Sequence, residues 1–127
     1  MAQPLLLTYN LKPDTAAGLD MICRRLGIRV RTVGPEEYAL PIGTLAGLPM
    51  AGTSADNPTP APAFDDEMLV MCLMLSDALD AFLKALREAG IRIPLKAVLT
   101  PVNVAWNSTA LRAELAREHS EMQRRAR

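Results

Sequence analysis

Aromatic side chains are scarce here: one Trp, two Tyr and two Phe among 127 residues. Leu, Ala, Met and Val must therefore build the core. Soft metal ligands are equally thin, with a single histidine, His119, and two cysteines, Cys23 and Cys72. No His/Cys cluster suggests zinc, and no metal site is expected. His119 falls on the wet side of the last helical segment, which argues against a Ser-His or Cys-His catalytic arrangement. The cysteines lie far apart, each within an apolar pattern, and read as buried thiols in a reducing compartment. No glycine-rich phosphate loop follows the first strand, where Thr8-Tyr9-Asn10-Leu11-Lys12-Pro13 stands instead. No cofactor is expected. Neither sign of charge dominates, with 14 basic and 14 acidic residues. That removes the basic footprint of a nucleic-acid binder and the polybasic patch of a membrane-surface protein. The longest apolar run, Met68 to Leu75, is far shorter than a membrane span. Met1-Ala2-Gln3-Pro4 lacks the basic region of a signal peptide, so the expected location is cytoplasmic. No internal repeat is evident.

What is present suits one domain over residues 1–127. Half the residues are hydrophobic and 22% are charged, as in ordinary globular proteins. Leu5-Leu6-Leu7 opens a first strand with the continuous apolar character of burial on both faces. Ala16, Leu19, Ile22, Cys23 and Leu26 recur at helical spacing, with Pro13 at the start and Gly27 at the end. Ile28 to Val33 alternates, as an edge strand does. Glu36 to Leu48 reads as a short irregular helical crossover interrupted by Pro41, Gly43 and Gly47. Residues 49–63, rich in Pro, Ala and Thr, read as a flexible loop. Met68 to Leu75 is a second fully apolar strand. Ser76 is placed to cap the next helix, whose stripe is Leu79, Phe82, Leu83 and Leu86, with Gly90 at its end. Leu95 to Thr100 is the fourth strand, stopped by Pro101. Asn107 caps a last helix, with Trp106 and Leu111 at the spacing of a hydrophobic staple.

This order predicts an α/β fold: a small three-layer domain with a four-stranded, mainly parallel sheet in the order 2-1-3-4. If every connection is a right-handed crossover, the strands all run parallel. A ferredoxin-like α+β sheet is the alternative. It leaves one face open, however, and Leu5 to Leu7 and Met68 to Leu75 do not alternate as an open face requires.

The run Asp65-Asp66-Glu67-Met68-Leu69-Val70-Met71, then Pro94-Leu95-Lys96-Ala97-Val98-Leu99-Thr100-Pro101-Val102-Asn103, then Trp106, resembles the bacterial domain of unknown function 3783 family over roughly residues 64–119. Val102 departs from that family's Pro-Thr-Asn triplet. The resemblance implies a bacterial source and carries over no catalytic residue.

Ligands of open α/β sheets bind beyond the carboxyl ends of strands, where strand order reverses. On a parallel sheet this gathers Asn10, Ser76, Thr100, Asn103 and Trp106 as candidate ligand-binding residues. Capping alone accounts for Ser76 and Asn107, a turn for Asn10 and a staple for Trp106. Thr100 and Asn103 are the least explained. Lys96, inside an apolar strand, needs a partner or a path to water, and Asp66 or Glu67 is within reach as an ion pair. No residue qualifies as catalytic. The expected function is a non-catalytic module that binds a small ligand or serves regulation and protein interaction. The alternatives are a small enzyme using Lys96 and Asn103, and a self-associating structural subunit. The partner is an unidentified small molecule or protein, with a homodimer among the options and neither nucleic acid nor membrane.

Overall fold

A computed structural model of the chain describes residues 4–48 and 62–125. All but the end of the loop expected at 49–63 lies outside those residues. The strands are β1 (Leu5–Tyr9), β2 (Arg29–Thr32), β3 (Met68–Cys72) and β4 (Leu95–Val98). The helices are α1 (Pro13–Leu26), α2 (Ile42–Leu45), α3 (Ser76–Glu88) and α4 (Ser108–Arg125). The strands form one sheet in the order β2-β1-β3-β4, as the apolar and alternating patterns predict. Every residue of β1 and β3 is buried, whereas β2 is largely exposed and β4 alternates.

The sheet is mainly parallel, as expected, with two of its three pairings parallel, but it is not wholly so. β1 runs parallel to β2, and β3 parallel to β4, but β1 and β3 pair antiparallel, with Leu7 opposite Val70. The sheet is mixed. A continuous apolar run encodes burial on both faces and carries no direction. Antiparallel pairing is also slightly the more stable per residue. Both faces are covered, so the ferredoxin-like alternative does not hold. Leu6, Leu69 and Met71 meet Leu19, Ile22 and Cys23 of α1 and Phe82, Ala85 and Leu86 of α3. Leu5, Leu7, Met68 and Val70 meet Ile42 and Leu45 of α2 and Leu111 of α4.

Helix ends follow local chemistry. Pro13 opens α1 with Asp14 in its first turn, and Arg24 and Arg25 lie in its last. Gly27 adopts φ 73°, letting the Ile28 amide donate to the Cys23 carbonyl at 2.8 Å. Asn107 caps α4 by accepting from the Ala110 amide at 2.8 Å. Ser76, by contrast, is the first helical residue of α3 rather than its cap. Leu75 holds the cap position, and no side chain bonds there.

An internal repeat, only faintly marked in the side chains, emerges in the backbone. Leu5 and Met68, Asn10 and Leu73, Pro13 and Ser76, and Gly27 and Gly90 all stand at one constant spacing. Both strands end in a non-glycine residue of positive φ, 57° at Asn10 and 60° at Leu73. Both first helices lead into a left-handed glycine, followed each time by Ile-Arg. A slightly longer constant spacing then relates Arg29 to Leu95, Pro41 to Asn107 and Ile42 to Ser108. The chain is thus two β-α-β-α halves about a local two-fold through Leu7 and Val70. The two-fold recurs where Pro41 and Asn107 bridge antiparallel. Beside that bridge the Ile42 amide donates to the Trp106 carbonyl at 2.8 Å, and the Ser108 amide to the Tyr38 carbonyl at 3.1 Å.

Three of the few aromatic rings lock this crossing. Tyr38 stacks on Phe64 with centroids 4.5 Å apart, and Tyr9 lies 5.8 Å from each. The Tyr9 hydroxyl and the Ser108 hydroxyl, both buried, share a hydrogen bond of 2.8 Å. Tyr9→Phe leaves the Ser108 hydroxyl buried without its partner and is expected to cost about 1–3 kcal/mol in urea unfolding. Adding Ser108→Ala to Tyr9→Phe should recover much of that loss. A double variant that is fully additive would show that the two hydroxyls do not depend on one another.

Candidate binding groove

The antiparallel seam decides which candidate residues can meet. β1 ends beside the start of β3, at the Tyr9–Met68 pair. The carboxyl ends of β1 and β3 therefore lie at opposite ends of the sheet, and the expected single crevice is not formed.

Asn10 sits at one end and works as a clamp. Its amide nitrogen donates to the carbonyls of Phe64 at 2.7 Å and Asp66 at 3.1 Å, and its oxygen accepts from the Tyr38 hydroxyl at 3.5 Å. It pins the chain that enters β3. Ser76 lies exposed on α3, apart from the others.

The expected ion pair of Lys96 with Asp66 or Glu67 is also corrected. Lys96 stands opposite Leu69, in the strand row facing α1 and α3. Its ammonium donates to the Ile93 carbonyl at 2.8 Å. Asp66 is taken instead by Arg112 on α4, at 2.9 Å. Glu67 accepts from the Lys12 amide at 3.3 Å. Strand alternation puts the lysine on one side of the sheet, and α4 holds Asp66 on the other.

Thr100, Asn103 and Trp106 do come together. With Lys96, Val98, Val102, Leu111, Glu114, Leu115 and Glu118 they line a groove of about 380 Å³ between β4 and α4. That volume falls within the usual range of ligand sites. Its polar loop is bonded to itself. The Asn103 amide oxygen accepts from the Thr100 amide at 2.9 Å, and its nitrogen donates to the Val98 carbonyl at 3.1 Å. The Thr100 hydroxyl accepts from the amides of Val102 at 3.2 Å and Asn103 at 3.1 Å. Among the described residues no buried polar side-chain atom lacks a partner. The chemistry on offer is therefore apolar and aromatic on the floor, with carboxylates along the α4 wall. Arg117 bonds Glu114 and holds its carboxyl below the usual range, so that carboxylate is ionised.

The sequence pattern does not connect Glu114 and Glu118 with Asn103. The signal was faint: Trp106 and Leu111, a staple in sequence, both line this groove. Ser108 and Tyr9 carried no sequence signal of their pairing.

The thiols offer no nucleophile. Burial pushes Cys23 up to about 11 and Cys72 up to about 12 from the ordinary 9.0. Among the described residues no group of His, Cys, Asp and Glu side chains could hold a metal ion. The folded chain keeps thiol protons that the unfolded chain releases near pH 9, so stability is complete below that pH and falls as pH rises through 11 to 12. Burial shifts Tyr9 and Tyr38 in the same direction. Urea midpoints should decline from pH 8 to 10.5, and less steeply in a Cys23→Ala/Cys72→Ala variant. Equal slopes would show that the thiols are not what the alkaline limb reports.

No curated protein and no solved structure matches the chain. One family model does match, from Glu67, just before β3, to Met122, within α4. Its span is one β-α-β-α half of the two-fold and contains the whole groove. That match, over residues 67–122 in the C-terminal half, is to the model of a family described as a domain of unknown function (DUF3783).

Proposed function

We propose that this chain is a non-catalytic binding module whose docking surface is the groove between β4 and α4, and that its ligand is a segment of another protein. The observation that carries this reading is the groove's composition. It has an apolar floor of Ala97, Trp106, Leu111 and Leu115, while its polar loop has spent its hydrogen bonds internally. A small polar metabolite needs free donors and acceptors to fix its orientation. An apolar peptide segment needs shape and exposed apolar surface, and Val102, 70% exposed, extends that surface at the rim. The enzyme reading through Lys96 and Asn103 loses support, because the Lys96 ammonium holds the Ile93 carbonyl and both ends of the Asn103 amide are engaged. No helix among the described residues is long and apolar enough to cross a membrane. The unpaired thiols support placing the protein in a reducing, cytoplasmic setting, and the family resemblance supports a bacterial one.

Titration of isotope-labelled protein with blocked apolar tripeptides is expected to move the Trp106 indole signal and the methyl signals of Val98, Val102 and Leu115. Val102→Asp should abolish those shifts while changing stability by no more than about 0.5 kcal/mol, as exposed substitutions do. Shifts confined to the Asn10 end of the sheet would overturn the assignment of the groove.

A further inference from the structure

We infer that the β4–α4 groove accepts an arginine side chain carried on an apolar segment of a partner protein. This deepens the reading of the groove as the docking surface and rests on it. The internal two-fold supplies the reason. The mate of the groove lies between β2 and α2, lined by Leu5, Arg29, Val30, Arg31, Leu45 and neighbours, and is smaller, at about 220 Å³. Leu45 and Leu111 occupy equivalent places on the outer helices and are both buried. Strand register makes Arg31 the counterpart of Ala97, since Arg31 lies beside Leu7 and Ala97 beside Val70. The N-terminal groove is thus narrowed from within. The Arg31 guanidinium donates to the Leu45 carbonyl at 2.7 Å and to the Glu37 carboxylate at 2.5 Å. In the C-terminal half the arginine has become alanine, and the groove stands open.

The acceptors change with it. α2 ends at Leu45 and leaves that carbonyl to Arg31, whereas α4 continues past Leu111 and uses its own carbonyls. Carboxylates take over the part, because Glu114 and Glu118, one helical turn apart, both line the open groove. Trp106 adds an aromatic surface on which a guanidinium can stack. Arg117 already engages both carboxylate oxygens of Glu114 and bridges it to Glu121, so the incoming cation joins a row of carboxylates that includes Glu118 rather than an isolated charge. An ammonium fits this arrangement less well, lacking the planar fork that engages carboxylate and ring together. Asn103 covers the Val98 carbonyl, so the edge of β4 is closed there and the partner engages through side chains rather than by adding a strand.

The test uses full-length labelled protein and three probes: acetyl-Leu-Arg-Leu-amide and its Lys and Gln counterparts. The indole signal of Trp106, the only tryptophan, is the readout. The Arg probe is expected to bind about tenfold more tightly than the Gln probe, the scale of one charge-assisted hydrogen-bonded pair. Glu114→Gln/Glu118→Gln should erase that preference, leave Gln-probe binding in place and preserve the melting temperature. Equal affinity for the Arg and Gln probes overturns this inference while the apolar docking surface stands. No response to any of the three overturns both. A Trp106 signal that moves on dilution of the protein alone assigns the groove to a second copy of this chain, and the arginine partner falls.

Discussion

The antiparallel seam between β1 and β3 is the constraint on which the rest of this fold depends. Five residues on each side are buried, with Leu7 opposite Val70 at the centre. Each half alone would be a two-stranded sheet with an apolar strand at its open edge, too small to be stable and prone to pair with other chains. Joined at the seam, both apolar strands become central, and the outer edges fall to β2, with Arg29 and Arg31, and to β4, with Lys96. The Pro41–Asn107 bridge and the Tyr9–Ser108 hydrogen bond tie the same two halves a second time, above the sheet.

Reversing the second half has a chemical consequence. In an all-parallel sheet, the strand-end loops gather at one edge and make a crevice. Here they part. Polar residues at the ends turn inward to structural work, Asn10 on the carbonyls of Phe64 and Asp66, Asn103 on Thr100 and Val98. The open space moves from the ends of the strands to the side of β4, where the long α4 stands over an edge strand.

How far this was legible in the sequence follows from what side-chain patterns encode. Periodicity and capping chemistry mark α1 between Pro13 and Gly27, and burial marks Leu5–Tyr9 and Met68–Cys72 as central. Strand order follows from those burial patterns. Direction does not, because a run such as Met68-Leu69-Val70-Met71-Cys72 reads alike both ways. The error in direction alone put Asn10 and Ser76 in the same place as Asn103. Thr100, Asn103 and Trp106 stayed together because they lie on one short stretch of chain. Lys96 was misjudged for a related reason: β4 alternates, so its lysine lies on the side away from Asp66. The repeat escaped notice because its strongest marks are backbone angles, and Asn10 and Leu73 share a conformation without sharing chemistry.

That last pair shows how the halves have diverged. Left-handed backbone suits Asn, whereas a Leu there costs about 1–2 kcal/mol. Leu73 stays because its side chain packs against the core on the α2 and α4 side. At the same position the N-terminal half gains a clamp and the C-terminal half gains packing. The contrast repeats at the grooves, where Arg31 narrows one and Ala97 leaves the other wider. It repeats again in the outer helices, a single turn in α2 and 18 residues in α4. All three differences point one way. The N-terminal half turns more of its polar groups inward and completes the sheet, while the C-terminal half keeps the larger groove.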